Sequence, residues 1–292
     1  MQKIIAIVGP TASGKTALAI ALAKRLRGEV ISVDSRQIYR RMDIGTGKNK
    51  TYPQFLIDTT PPNRVFSVRQ YKKLAEKKIR EIIKRGHLPI LVGGTGLYLK
   101  AIVENLKMPA VKPDKKLREN LGKLTTGELE EKLKSLDPAA AKTAAQNKRR
   151  LIRALEVILK TGDPFSSQRK KGKPLFNALQ IGIKVPRQEL DERINKRVDE
   201  QIKRGLVKEV KNLIKKYGDN AYALQNTIAY RELLPYLRGE TTLEKSIEEI
   251  KRNSRRYARR QITWFKRQAN VHWIDSPRQA EKLVNKFLNS KT

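Results

Sequence analysis

The sequence predicts an α/β fold: a P-loop NTPase-like parallel sheet core flanked by helices, with a helical insertion domain. Three observations lead there. Apolar Ile4–Val8 runs into Gly9-Pro10-Thr11-Ala12-Ser13-Gly14-Lys15-Thr16, a G-x-x-x-x-G-K-T loop that opens an alanine- and leucine-rich helix. Strand-like and helical stretches alternate through the N-terminal third, which implies parallel strands joined by right-handed crossovers. From Met108-Pro109 to about Lys173 the strand signals stop, and the chain is helical, charged and punctuated by Pro113, Pro138 and Pro164.

The elements follow in order. Lys3–Val8 reads as the first strand and Lys15–Arg27 as its helix; Val30–Val33 is a second strand. Ser67 caps and Gly86 stops a helix over Ser67–Arg85, and Leu88–Val92 is the next strand. The phosphate loop, Asp34 and Gly93-Gly94-Thr95 then fall at the carboxyl ends of strands, where such sheets bind ligands. The insertion is placed at 111–175, between core segments 1–110 and 176–292, with Gly172-Lys173-Pro174 as its exit hinge. Ala178–Val185 returns to a strand pattern. Arg187–Tyr217, Thr227–Arg238 and Thr242–Gln268 read as helical, the last opened by a capping box of Thr241 and Glu244. Val271–Ile274 is a short strand, and Ser276-Pro277 with Gln279 opens a final helix.

Charge is the second strong signal. Across 292 residues, 64 Lys and Arg stand against 29 Asp and Glu, a net +35. Such an excess destabilises a compact chain by self-repulsion unless a polyanion offsets it, and nucleic acid is the expected partner. The charge is also clustered, which a generally lysine-rich surface does not explain. At about 100° per residue, Ile250, Tyr257, Ala258, Ile262, Trp264 and Phe265 share one half of the long C-terminal helix. Lys251, Arg252, Arg255, Arg256, Arg259, Arg260, Lys266 and Arg267 share the other, and no acidic residue interrupts from Lys251 to Ile274. An ordinary solvated helix mixes signs to gain i,i+4 pairs; a one-sign stripe fits a row of phosphates. Lys148-Arg149-Arg150 with Arg153 is a second cluster, and Arg169-Lys170-Lys171 with Lys173 a third. The absence of cysteine excludes disulfides, a thiol nucleophile and a cysteine zinc site, and two histidines cannot build a histidine metal centre. No apolar stretch is long enough to span a membrane, no leader is expected before the loop, and a cytoplasmic monomer is the expectation.

The loop fixes the ligand type as a polyphosphate. Backbone N–H groups wrap the anion, Lys15 adds charge, and the Thr16 hydroxyl can ligate Mg²⁺. Asp34 has three readings: it binds Mg²⁺ through water, accepts a proton from a nucleophile, or caps the next segment. Asp43, in the Gly/Thr-rich loop Arg41–Gly47, reads as structural. Gly93-Gly94-Thr95-Gly96 brings backbone close to a ligand or to the first loop.

Several strings together carry a family resemblance. They are the loop Gly9–Thr16; Ile31-Ser32-Val33-Asp34-Ser35-Arg36-Gln37-Ile38-Tyr39 through Gly45-Thr46; Leu91-Val92-Gly93-Gly94-Thr95-Gly96-Leu97-Tyr98; Arg153-Ala154-Leu155-Glu156-Val157; and Arg259-Arg260-Gln261-Ile262-Thr263-Trp264-Phe265. In this order, over nearly the whole chain, they resemble the bacterial tRNA dimethylallyltransferase (tRNA isopentenyltransferase) family. The resemblance implies transfer of the dimethylallyl group of dimethylallyl diphosphate to the exocyclic amine of the adenosine immediately 3′ of the anticodon. The tRNAs would be those reading codons that start with U, and diphosphate would leave. It implies that Gly9, Pro10, Thr11, Ala12, Ser13, Gly14, Lys15 and Thr16 hold the diphosphate, in a loop often labelled ATP-binding, with Mg²⁺ at Thr16. It implies Asp34 as general base and Thr11 near the bridging oxygen. Contacts to tRNA are implied at Asp34, Ser35, Arg36, Gln37, Thr95, Arg118, the run Arg149, Arg150, Leu151, Ile152, Arg153, and the run Arg255, Arg256, Tyr257, Ala258, Arg259, Arg260. The insertion would clamp the anticodon stem-loop. One segment departs: Gln225-Asn226-Thr227-Ile228-Ala229-Tyr230-Arg231-Glu232 has Asn226 where the family usually carries Gln or Arg, and Ala229 where it carries Gly. Arg231 is the candidate to replace an arginine's charge there. Two rivals stand beside this reading: a P-loop small-molecule or nucleotide kinase, and a non-catalytic RNA-binding NTPase.

Overall fold

A computed structural model describes residues 1–168 and 170–290. The chain divides into two compact units, Met1–Val103 with Leu175–Thr292, and Glu104–Pro174.

The first unit opens with β1 (Lys3–Val8), α1 (Lys15–Arg25), β2 (Gly28–Ser32), β3 (Gln54–Phe55), α2 (Val68–Lys84), β4 (Leu88–Gly93) and α3 (Gly96–Val103). The second unit holds α4 (Lys115–Lys123), α5 (Thr126–Leu136), α6 (Pro138–Ala144) and α7 (Lys148–Thr161). The chain then returns with β5 (Asn177–Ile183), α8 (Arg187–Lys203), α9 (Leu206–Tyr217), α10 (Tyr222–Asn226), α11 (Leu234–Leu237), α12 (Leu243–Lys266), β6 (Val271–Ile274) and α13 (Pro277–Asn289).

All six strands are parallel, in the order β3-β2-β4-β1-β5-β6. From Ile4 to Val8 β1 is apolar without interruption because both of its faces are covered. Ile4, Ala6 and Val8 face Tyr71, Ala75, Ile79 and Ile82 of α2 and Phe265 of α12. Ile5 and Ile7 face Ala19, Leu22 and Ala23 of α1 and Ala280 and Val284 of α13. After β1 the chain builds outward on one side and returns with β4 beside it; β5 is then added on the other side. That reversal of direction opens a crevice at the carboxyl end of β1, where the phosphate loop begins.

Local signals set most boundaries. Ser67 and Gln70 form a complete capping box on α2. The helical run 187–217 is two helices, because Gly205 takes a left-handed conformation (φ 93°) between α8 and α9. The cap of α12 is Thr242, whose hydroxyl accepts from the Lys245 N–H; the cap is one residue later than the expected Thr241, and Lys245 stands where a box needs Glu or Gln. Within Thr227–Arg238 only Leu234–Leu237 is helical. β3, with two residues, is too short to carry a strand signal.

In the second unit, Leu121, Leu129, Leu133, Leu151, Leu155 and Ile158 form the core. Asp114, Thr125, Asp137 and Asn147 each cap a helix through a side-chain oxygen. A fully buried carboxylate, Glu156, ties the unit together. It accepts from the Asp114 N–H at 2.7 Å, from Arg118 through two bonds (2.8 and 2.7 Å), and from Arg153. Burial alone would raise the Glu156 pKa, but the bonds from Arg118, Asp114 and Arg153 outweigh it and hold the carboxyl below its ordinary value. The stabilisation is therefore present above the ordinary glutamate range and is lost as pH falls through the lower folded value. Glu156→Gln removes the charge that both arginines share and is expected to destabilise this unit by about 2–4 kcal/mol at neutral pH, the arginines being partly solvated. Hydrogen exchange localised to α4 and α7 would read the loss.

Candidate active site

Gly14 caps α1 with a left-handed backbone (φ 85°), and no side chain caps the helix or places an acid in its first turn. The N–H groups there are left for an anion. Lys15 folds back onto its own loop, donating to the Pro10 carbonyl at 2.9 Å. The Ser13 hydroxyl is buried with no partner among the described residues. Burial lowers the Lys15 pKa from 10.5 to about 8; the charge of Arg197 adds to this and Asp34 opposes it.

Asp34 follows β2. Its Oδ1 accepts from the N–H groups of Arg36 (2.7 Å) and Gln37 (3.3 Å), so the carboxylate does cap the turn after it. Its second oxygen carries no hydrogen bond among the described residues and stays free for a proton or a water. The turn is tied to the third loop by Ser35 N–H donating to Thr95 Oγ1 at 3.0 Å. Gln37 accepts from Ser32 and donates to the carbonyls of Thr46 and Gly47.

Gln261 of α12 joins the phosphate loop to the Gly94 loop. Its Oε1 accepts from the Thr11 N–H at 2.9 Å, and its Nε2 donates to the Gly94 carbonyl at 3.0 Å. A β-carbon on Gly94 would lie 1.9 Å from Gln261 Nε2, and one on Gly96 would lie 2.0 Å from Trp264 Nε1. The glycines of this loop therefore make room for α12. In the sequence Gln261 is marked only by its place on the apolar face of the helix wheel, three residues after Ala258 and four before Phe265.

The Asp43–Lys48 loop is held from outside. Glu209 of α9 accepts from the N–H groups of Asp43, Ile44 and Gly45, while Gln201 of α8 donates to the carbonyls of Ile44 and Gly45. Asp43 itself pairs with Lys48, whose buried ammonium also meets Asp58 and the Tyr39 carbonyl. Arg197 of α8 donates to the Thr46 carbonyl at 3.3 Å. Sequence reasoning passed over Glu209, Gln201 and Arg197, because polar residues on amphipathic helices read as solvent-facing.

The basic surfaces divide by partner. Against α8, Lys251 pairs with Asp199, Arg255 with Asn195, and Arg259 with Asp191. Each row steps by four residues, so the two helices run antiparallel, and α8 supplies two carboxylates, Asp199 and Asp191, to the part of α12 that follows its last acid, Glu249. Lys251 also meets Glu248, and Arg252 meets Glu249. The stripe is thus partly neutralised, contrary to the expectation of an unpaired row. Arg256, Arg260, Lys266 and Arg267 are exposed and have no acidic partner among the described residues. Ala258 is buried and Tyr257 half-buried, so within that run the arginines carry the surface. In the second unit Leu151 is fully buried and Ile152 half-buried; Arg118 and Arg153 are committed to Glu156, which leaves Arg149 and Arg150 exposed. Arg169 lies outside the described residues, and Lys171 pairs with Glu104. Asn226 donates to the Tyr222 carbonyl at 2.8 Å. Arg231 holds Glu232 at 2.6 Å, so its charge is already engaged.

Comparison with known proteins gives this arrangement a family. Residues 37–268 match the family model described as IPP transferase. The chain is 44% identical to a tRNA dimethylallyltransferase of Acetivibrio thermocellus, over 94% of this chain and 92% of that one. It is 46% identical to a tRNA dimethylallyltransferase of Limosilactobacillus reuteri, over 99% and 98%. Among solved structures it is similar to a tRNA delta(2)-isopentenylpyrophosphate transferase from Staphylococcus epidermidis, with 38% identity, a TM-score of 0.71 and 99% of both chains covered. A eukaryotic dimethylallyltransferase acting on tRNA matches with 27% identity and a TM-score of 0.86, over 100% of this chain and 81% of that one. The chain belongs to the IPP transferase family.

Lys15 gives the loop a pH signature. An anion bound in the loop offsets the burial that lowers this lysine, so the bound form keeps its proton to higher pH. Just above the free value of about 8, binding of inorganic diphosphate is expected to take up protons. Calorimetric titration in two buffers of different ionisation enthalpy detects the uptake, and Lys15→Arg should abolish the lysine's share of it.

Proposed function

We propose that this member of the IPP transferase family transfers the dimethylallyl group of dimethylallyl diphosphate to the exocyclic amine of the adenosine immediately 3′ of the anticodon, in tRNAs reading codons that start with U. The amine lone pair attacks the allylic carbon that bears the diphosphate; the carbon–oxygen bond breaks, diphosphate leaves, and one amine proton passes to Asp34. The observation that carries this reading is the junction at Thr95. There a loop built for a polyphosphate, tied through Gln261, meets a carboxylate with one oxygen free.

Each group has a task. The loop N–H groups of Gly9–Thr16 and Lys15 hold the phosphates and stabilise the charge that develops as they leave. Thr11 would sit beside the bridging oxygen. The amine is a weak nucleophile because its lone pair is conjugated into the ring, and attack makes it acidic; Asp34 takes the proton. The target base must leave its stack to reach this site. Among the described residues no group of three or more His, Cys, Asp or Glu could hold a metal. Mg²⁺ prefers one or two protein oxygens with substrate phosphates and water. Thr16 would hold it, and when bound it neutralises charge on the leaving diphosphate. Arg149, Arg150, Arg256 and Arg260 would meet tRNA phosphates, with the second unit gripping the anticodon stem-loop. Ser35, Arg36, Gln37 and Thr95 would line the path of the target nucleotide. No helix among the described residues is long and apolar enough to cross a membrane. A cytoplasmic, monomeric enzyme is part of this reading. The kinase alternative is not favoured by the relatives, which are transferases that act on tRNA.

The direct test incubates dimethylallyl diphosphate, labelled in the prenyl group, with an unmodified anticodon stem-loop. Label should appear in the RNA. Phosphorylation of an acceptor by ATP, with no prenylated RNA, would overturn the reading. Asp34→Ala should slow transfer by about 10²–10⁴-fold while tRNA binding persists. Removing Arg256 and Arg260 together should flatten the salt dependence of tRNA affinity by about two units of log–log slope.

A further inference from the structure

We infer that an apolar cavity beside the phosphate loop binds isoprenoid diphosphates longer than dimethylallyl diphosphate and holds them unreactive. The inference rests on the proposed function for the diphosphate-binding role of the loop, and goes beyond it in site, ligand and effect.

A cavity of about 1360 Å³ opens on the first unit next to that loop. Pro10, Ser13 and Gly14 form its edge, whereas Asp34 and Thr95 do not line it. It is therefore separate from the junction where the carboxylate meets the loop. Its floor is apolar, supplied by Leu18 and Ala21 of α1, Leu190 of α8, Ile262 of α12 and Trp273 of β6. Ala17 and Ala21 are exposed and small, so α1 presents a groove there and not a filled face. Apolar surface left open to water is unfavourable, and a hydrocarbon laid along it removes that cost.

The mouth sets the other half of the ligand's chemistry. Glu189 pairs with Arg193 and Asp191 with Arg259, so these charges cancel. Lys184, Arg187 and Lys266 are exposed and have no acidic partner among the described residues, against one unpaired acid, Asp275. At the loop end Ser13 is only 4% exposed, and its hydroxyl has no partner among the described residues. There α1 also begins without a side-chain cap. The loop end thus draws an anionic head and the floor an apolar tail, and a diphosphate on a long hydrocarbon chain satisfies both. The tail of dimethylallyl diphosphate is too short to cover the floor. A purine nucleotide would turn ring nitrogens and ribose hydroxyls toward Leu18, Ala21 and Leu190, which offer them no hydrogen bond. A tail lying along α1 points the carbon that bears the diphosphate away from Asp34, so the ligand fills the loop without reacting. Head-to-tail condensation of five-carbon diphosphates yields such molecules, and the site lets the products of that competing use of the donor restrain transfer.

The test measures binding of geranyl and farnesyl diphosphate to the full-length protein by calorimetry, and tries both as inhibitors and as donors with the anticodon stem-loop. Farnesyl diphosphate should bind about 10- to 100-fold more tightly than geranyl diphosphate, the increment of one further isoprene unit partly buried. Both should compete with dimethylallyl diphosphate and leave no prenyl group on the RNA. Ala21→Trp, which fills the cavity from α1, should erase the dependence on chain length while kcat and the KM for dimethylallyl diphosphate hold. Equal affinities of the two compounds overturn the inference. So does transfer of either tail to RNA, which would place the tail in the reaction site, and so does a chain-length dependence that survives in folded Ala21→Trp. Loss of ATP binding in that variant with farnesyl diphosphate binding unchanged would make the cavity a nucleotide site, and overturns it as well. Should Ala21→Trp fail to fold, Thr263→Trp fills the cavity from α12 and decides by the same readouts. Failure of the wild-type protein to prenylate RNA would remove the proposed function, yet the binding comparison would still report on the cavity.

Discussion

The amide of Gln261 is the contact on which the site depends. One side chain, only 5% exposed, satisfies the Thr11 N–H of the phosphate loop and the Gly94 carbonyl of the loop after β4. Both are backbone groups whose loss of a partner would cost about 1–3 kcal/mol each if water could not replace it. Its reach extends further than that energy. Gln261 shares a buried face with Ala258 and Phe265, so the bonds that lock the two loops also fix the rotation of α12. The exposed arginines at 256 and 260 then have a set direction relative to the loop. A single polar contact thereby links the anion cradle to the basic surface.

Charge in this protein is sorted rather than spread. The row Lys251, Arg255 and Arg259 is answered step for step by Asp199, Asn195 and Asp191 on α8. That ladder holds two helices together and leaves Arg256 and Arg260 without an acidic partner among the described residues. In the second unit Glu156 plays the same part: it absorbs Arg118 and Arg153 and leaves Arg149 and Arg150 exposed. Acidic residues are scarce here, and these sit where they anchor helices. The unpaired cations are a remainder that structural pairing does not consume, and they are the ones available to phosphates.

Much of this was legible in the sequence where the signal is local. The phosphate loop, Asp34 and the Gly93–Gly96 loop fell at strand ends because strand and helix periodicities are local properties, and the parallel sheet follows from their alternation. Boundaries that depend on one residue were less legible. Gly205 breaks a helix that periodicity alone would continue, and Thr242 outcompetes its neighbour Thr241 as cap. Least legible were residues whose roles come from partners far along the chain. Gln261 meets Thr11, Glu209 meets Asp43, and Arg197 meets Thr46. Each sits on an amphipathic helix, where a polar residue reads as surface until its partner is known.

The proposed chemistry asks one loop to serve a reaction in which phosphate is not transferred. Hydrogen-bond donors around a diphosphate stabilise charge on its oxygens whichever bond breaks. What selects carbon–oxygen cleavage is the position of the acceptor and its base. Asp34 faces that choice with one oxygen anchored by the turn and the other unbonded, so its orientation is set before a substrate arrives. In the proposed chemistry the loop N–H groups and Lys15 meet most negative charge on the free diphosphate rather than on its prenyl ester. The groups that favour departure of the leaving group would therefore hold the product afterwards, which makes diphosphate release a natural candidate for the slow step of turnover.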